Sequence, residues 1–161
     1  MARIIISVAM ETCPGCGALV EGGAEVCQAT WDRQSIRLAT GGEVPYTVRR
    51  LGVDCHCLQH PDRYCVSAKS LAAHLTGLCW ALEFGGGEHG LKALQTWLNG
   101  RVPLTKPPIP SSRGRITVSD LLDEEGSLAP AIERWARSIW DAYSDLHSTA
   151  THWVEEATGR A

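Results

Sequence analysis

The chain has 161 residues, 44% of them hydrophobic, and a formal net charge of −3. A chain of this size buries a core without disulfides, and its negative balance gives no reason to expect nucleic-acid binding, which needs clustered positive charge to displace counterions. No apolar run approaches the roughly 18 residues that span a bilayer, so no membrane partner is expected either.

Residues 2–10 are apolar but too short for a signal-peptide core, and no A-x-A cleavage site follows. They read as a short edge strand, or as an extension upstream of an alternative start at Met10. The next stretch, Cys13-Pro14-Gly15-Cys16-Gly17 through Gly22-Gly23, reads as a cysteine knuckle and loop covering residues 10–30. Residues 24–38 then carry Val26, Cys27, Trp31 and Leu38 at helical spacing, with Gly41-Gly42 as the stop. A second helix is predicted over 46–59, its stripe formed by Val48, Leu51, Cys55 and Leu58. His60-Pro61 ends it, because the residue before proline is pushed out of the helical region.

Ser67 is the expected N-cap of a third helix bearing Leu71, His74, Leu75, Leu78, Cys79 and Leu82, stopped by Gly85-Gly86-Gly87. A shorter helix holds Leu91, Leu94, Trp97 and Leu98, with Gly100 as its C′ residue. Residues 101–116 contain four prolines and no period, and are predicted to be a long loop. Thr117 to Asp120 caps a short helix through Leu122. A final helical stretch runs from Ser127 or Leu128 to about Thr158, with a break expected near Ser148-Thr149 and Pro130 harmless in its first turn. The predicted fold is mainly α: one domain over 1–161, a bundle of four to five helices over 46–100 and 117–158, with an N-terminal zinc knuckle and a long Pro-rich loop.

Seven cysteines would leave one thiol unpaired in an oxidising compartment. In a reducing cytosol the C-x-x-C spacing is a metal or redox signature, and a cytoplasmic protein is expected. Two thiolates two residues apart can grip one ion in a tight turn, the glycines supplying positive φ and backbone N–H groups facing the sulfurs. Soft thiolates favour Zn²⁺ in tetrahedral geometry, iron being the rarer occupant. A thioredoxin-like redox pair fits less well, since that motif opens a helix after a strand. Cys27 is the best third ligand. The fourth comes from Cys55, His56, Cys57, His60 or Cys65; the set drawn from these is Cys13, Cys16, Cys27 and His60. Cys55 and Cys57 point about 200° apart on a helix, so they do not share an ion. A free cysteine otherwise behaves as a small buried hydrophobe, the bland reading of Cys55, Cys65 and Cys79.

His56 and His60 stand at i, i+4, a two-histidine spacing that Pro61 disturbs. His74, flanked by leucines, is expected to be buried, with Asp54 as its hydrogen-bond partner or as the carboxylate orienting a liganding histidine. His147 and His152 are candidates for the same place. Were His60, His74 and His147 to converge, three imidazoles would leave one metal position for water or substrate, so the candidate catalytic residues are Asp54, His60, His74 and His147. Arg101, Lys106, Arg113 and Arg115 make the Pro-rich loop basic, either as a solvated crossover or as a flap over an anion. Six of ten aromatics are Trp, each with an N–H that wants a partner, so they belong at core edges or pocket walls.

Taken together, Cys13-Pro14-Gly15-Cys16-Gly17-Ala18, Val53-Asp54 with Gln59-His60-Pro61, and Ala73-His74-Leu75 with Leu78-Cys79 and Leu82-Glu83 form a recognisable set. Thr117-Val118 with Asp120, and Trp135-Ala136 with Trp140 and His147, complete it. In these motifs the chain resembles a family of small uncharacterised bacterial proteins classed as a domain of unknown function. The resemblance implies a single domain and marks Asp54, His60 and His74 as site residues. It also implies a histidine where Arg49 or Arg50 stands and an aromatic where His56 stands. A more distant similarity, of architecture alone, is to four-helix metal-binding bundles with three histidines, some of them thiol-dependent transferases. Three functions are therefore expected in turn: a zinc protein whose knuckle pins its N-terminal segment, a metal-dependent enzyme with a small-molecule ligand in a pocket walled by Trp80, Trp135 and Trp140, and a protein-interaction module using the knuckle and a Trp-rich face.

Overall fold

The computed structural model describes residues 9–41, 44–122 and 124–160. The expectation of an edge strand or upstream extension for the apolar start therefore lies, up to residue 8, outside the described residues. The fold is mainly α. Its helices are α1 (Gly23–Thr40), α2 (Tyr46–Gln59), α3 (Pro61–Tyr64), α4 (Ala68–Glu83), α5 (Glu88–Asn99), α6 (Ala129–Ala142) and α7 (His147–Thr158), with 3₁₀ turns at Val118–Leu121 and Ser144–Leu146. No described helix is long and apolar enough to cross a membrane.

The N-terminal segment is more ordered than a loop. Strands β1 (Met10–Thr12) and β2 (Leu19–Glu21) pair antiparallel, Glu11 opposite Val20, and the cysteine knuckle is the connection between them. Three-residue strands carry no hydrophobic period for a sequence reading to find. β2 buries only Val20, and the hairpin rests on α1.

Helices α2 and α4 lie at the centre: α2 packs on α1, α4 and α6, and α4 packs on α5 and α7. Trp135, Ile132, Ile139, Leu58, Leu71, Leu75 and Leu78 fill the space between them, each fully buried. Ser67 caps α4 as predicted, in a reciprocal pair with Ser70. Gly85 and Gly86, at φ of 79° and 68°, end that helix in a conformation only glycine takes readily.

Two details depart from expectation. The chain does not leave helical structure for good at Pro61, which opens the single turn of α3 at its N-terminus, where a missing N–H costs nothing. The final helical stretch breaks at Tyr143–Leu146, earlier than Ser148-Thr149. There the Trp140 carbonyl accepts from the Tyr143 amide at 3.0 Å and from His147 Nε2 at 2.8 Å, so the regular ladder stops.

Residues 101–116 contain no helix or strand, and the core fastens them from within. Buried Gln59 donates to the carbonyls of Arg113 and Ile116, both at 2.8 Å, and accepts from Trp135 Nε1 at 2.9 Å. Ser138 Oγ accepts from the amides of Arg115 and Ile116. Gly114 sits at φ 90° with the Ser138 carbonyl only 2.8 Å from where a Cβ would stand, so a side chain there would lift the loop off α6.

Tyr143 closes α2 from the other side. Its hydroxyl, fully buried, donates to the Leu58 carbonyl at 2.6 Å, one of the helix-end acceptors that has no amide to receive. Tyr143→Phe removes that donor and strands a buried carbonyl. Urea denaturation should show a loss of about 1–2 kcal/mol with an unchanged m-value.

Candidate metal centre

The knuckle is shaped by its own backbone. The Cys13 amide donates to the Ala18 carbonyl at 2.8 Å, and the Gly17 amide donates to the Cys13 carbonyl at 2.9 Å. Gly17 takes φ 79°, which a non-glycine residue rarely adopts. This turn presents Cys13 and Cys16. Cys27 arrives from α1, whose start is bent into place by Gly22 and Gly23, both at positive φ. His60 arrives from the end of α2, where its φ of −124° and ψ of 55° take it out of the helix.

The four donor atoms all lie within 4.8 Å of one another. Cys16 Sγ is 3.6 Å from Cys27 Sγ, and His60 Nε2 is 3.6 Å from Cys13 Sγ and 3.5 Å from Cys27 Sγ. His60 Nδ1 donates to the His56 carbonyl at 2.8 Å, so Nε2 is the ring nitrogen aimed at the sulfurs. All three cysteines are buried. This cluster can hold a metal ion.

Gly15 has a different role from the one its sequence position suggests. Its φ is not positive; instead a Cβ there would stand 2.4 Å from His60 Cδ2. The residue must be glycine because the imidazole lies directly on the knuckle.

Protons are distributed unevenly over the four groups. The Cys16 thiol is pulled down to about 4, chiefly by the hydrogen bond from Cys27 and, against burial, by His60. Cys27 is pushed far up by its neighbour Cys16 and by burial, and so remains the donor of that pair. Burial opposes charge on His60, yet contact with Cys16 and the carbonyl of His56 bring it up to about 9. A thiolate–imidazolium pair thus stands where a cation would displace the protons, as ligands must lose them to bind metal.

The other cysteines lie apart from this cluster. Cys55 is fully buried and held as a thiol; burial likewise raises Cys57 to about 12 and Cys65 and Cys79 to about 11. Cys65 donates weakly to the Cys57 carbonyl at 3.6 Å. His56 does not pair with His60 on an ion. Its ring stacks on Trp31 at 4.7 Å and 7°, lies 4.2 Å from the His60 ring, and neither of its nitrogens has a partner. Desolvation, with the neighbouring charges of His60 and Arg63, lowers it to about 3 and keeps it neutral. It occupies an aromatic slot.

The three imidazoles expected to converge do not. His60 joins the thiols. His74 Nδ1 donates to Asp54 Oδ1 at 2.9 Å, where the fully buried carboxylate also accepts from Arg50 Nε on both oxygens at 3.1 and 3.2 Å. His147 lies flat on Trp140, ring centres 3.8 Å apart. His152 is exposed, 4.0 Å from Glu156. Among the described residues only the Cys13, Cys16, Cys27 and His60 cluster groups three or more metal-ligating side chains closely.

All of Trp31, Trp80, Trp135, Trp140 and Trp153 are buried, Trp135 completely, and no exposed Trp face exists among the described residues. Only Trp140 lines a cavity, about 500 Å³ in volume, beside Glu83, Phe84 and His147. Three of the Trp N–H groups find partners inside the protein, Trp80 on the Gly87 carbonyl, Trp135 on Gln59 and Trp140 on Glu83, whereas that of Trp97 is buried without one. The basic loop covers neither this cavity nor a larger one between α4 and α5.

Sequence reasoning missed Arg50 and Gly77 as the setting of Asp54. Arg50 and Asp54 stand at i, i+4, which was a legible signal. Gly77, where a Cβ would meet Asp54 Oδ2 at 2.2 Å, leaves no trace in a sequence pattern.

The chain is a helical protein carrying a Cys₃His cluster, able to hold a metal ion, between an N-terminal hairpin and the end of a central helix. The chain belongs to the family of unknown function DUF5946, whose model matches residues 11–144, from the first strand to just past α6. None of the curated proteins and none of the solved structures matches it.

Gly15→Ala should push His60 off the knuckle while leaving all four donors in the sequence. A competition titration with a metallochromic chelator should then show metal affinity lowered about 10- to 100-fold, the range typical for disturbing a ligand's support. Cys79→Ala, in the core but away from the cluster, should leave the affinity unchanged.

Proposed function

We propose that this is a zinc protein and that the zinc is structural, closing the N-terminal hairpin onto the end of α2. The observation that carries the reading is the spacing of the four donors. Tetrahedral Zn²⁺ with sulfur at about 2.3 Å and nitrogen at about 2.0 Å sets its ligand atoms about 3.5–3.8 Å apart. Three of the six separations, at 3.5 and 3.6 Å, match those edges, and all six lie within 4.8 Å. Three thiolates and one neutral imidazole are a zinc donor set, and iron at such a site is rarer.

Four protein ligands fill a tetrahedral ion, leaving no position for water or substrate. That supports a structural zinc over a catalytic one. A metal enzyme built from Asp54, His60, His74 and His147 would need these groups at one point, and His60 is committed to the thiols while His74 and His147 have partners of their own. A cytoplasmic location fits the same reading, since all seven cysteines are free thiols and a reducing compartment keeps zinc thiolates intact.

The zinc would tie the hairpin, which otherwise rests on α1, directly to the end of α2. Its ligands come from the hairpin, α1 and α2, and the hairpin buries few side chains of its own. Purified protein should contain one zinc per chain by elemental analysis. Cys16→Ser should lose it, and chelation of the wild type should lower the melting temperature by several degrees or more, because zinc binding energy in such sites is folding energy. His74→Ala should retain the metal. Metal kept by Cys16→Ser, or an unchanged melting temperature after complete chelation, would refute a structural zinc here.

A further inference from the structure

A cavity of about 630 Å³ opens between the N-terminal half of α2, α4 and α5, and shares no residue with the thiol cluster. That volume is typical of small-molecule sites. Its walls differ in character. Leu94 is buried, Leu91 and Leu98 are half-buried, and all three come from one face of α5. Ala73 and Gly77 of α4 also line it, and being small they leave its floor open.

The cations are on the opposite side. Arg50, Lys69 and Lys92 line the cavity against a single acid, Glu88. Lys69 and Lys92 have no ion-pair partner among the described residues. Arg50 is the fixed member. Its Nε is held by both oxygens of buried Asp54, and one Nη donates to the Ala73 carbonyl at 3.1 Å. Asp54 is shared with His74, so its charge is not spent on Arg50 alone. The other Nη has no partner within the protein among the described residues, and a third of the side chain remains accessible. The N-terminus of α4 is not the anion seat, because Ser67 and Ser70 already satisfy one another's amides.

An apolar wall facing a positioned guanidinium selects a ligand with both characters. We propose that this cavity binds a small organic carboxylate with an aliphatic body, its head on Arg50 with Lys69 and Lys92 at the rim, its chain on Leu91, Leu94 and Leu98. Buried Asp54, with His74 on it, is then a positioning device: it holds the Arg50 fork in place so that less side-chain freedom is lost on binding.

The test is an NMR titration of isotopically labelled, full-length protein as purified, with octanoate as the probe and octanol and acetate as the chain-only and head-only comparisons. Octanoate should shift the amides of Ala73, Gly77 and Leu94 saturably, with a dissociation constant of about a millimolar or tighter for so small a ligand. Octanol and acetate should each bind about tenfold more weakly or worse. Lys69→Glu combined with Lys92→Glu changes only exposed side chains, and should weaken octanoate about tenfold while leaving octanol unmoved. Arg50→Gln should weaken it further; if loss of the Asp54 partner unfolds that variant, the double lysine reversal decides. No saturation, shifts confined to other surfaces, equal affinity for octanol, or indifference to charge reversal would each overturn the proposal.

Discussion

The last turn of α2 ends in a sequence that cannot continue its own hydrogen-bond ladder, since Pro61 has no amide and disfavours helical geometry at His60. Its carbonyls and side chains therefore turn outward to other elements. Residue by residue, His56 stacks on α1, the Cys57 carbonyl receives Cys65, the Leu58 carbonyl receives Tyr143, Gln59 grips both the Pro-rich loop and Trp135, and His60 meets the three cysteines. Five consecutive residues thus fasten the hairpin, α1, the Pro-rich loop and α6. A helix that ran on for one more turn would satisfy the Cys57 and Leu58 carbonyls within itself and carry His60 away from the cysteines.

This arrangement explains why the metal cluster and the core are one structure. His60 is aimed by the His56 carbonyl, and His56 is itself fixed by Trp31, which lies edge-on to Trp135 at 6.0 Å. Strain at the knuckle is therefore felt in the core within three side chains, and a change in core packing at Trp31 is felt at the fourth ligand. Close packing transmits such displacements because side chains have no free volume to absorb them.

The chain keeps its ionisable groups in three separate settings, each with its own physical logic. The thiols and His60 form a cluster that can hold a cation in place of protons. Buried Asp54 accepts from the Arg50 guanidinium and the His74 imidazole, both half-buried, next to a cavity. His147, Trp140 and Glu83 form a third, where a ring stack and two hydrogen bonds close the joint between α6 and α7. Their separation places His60, His74 and His147 with three different sets of partners.

Local chemistry was enough to read the helices, the Pro-rich loop, the cysteine knuckle and Cys27 as its companion. Helical periods, glycine stops, the Ser67 cap and a C-x-x-C pair are each properties of neighbouring residues, and need no knowledge of how the chain folds back. The Asp54–His74 bond was legible as a candidate for the same reason, since a histidine among leucines needs a partner. What only the tertiary structure decided was which of several candidates met across the chain: His60 and not Cys55, His56, Cys57 or Cys65 at the fourth corner, and His74 and His147 in places of their own. That choice rests on where α2 ends, on the space that Gly15 leaves for an imidazole and Gly77 for a carboxylate, and on contacts between residues dozens of positions apart. A one-dimensional pattern records which groups are present, while distance between them is set by packing.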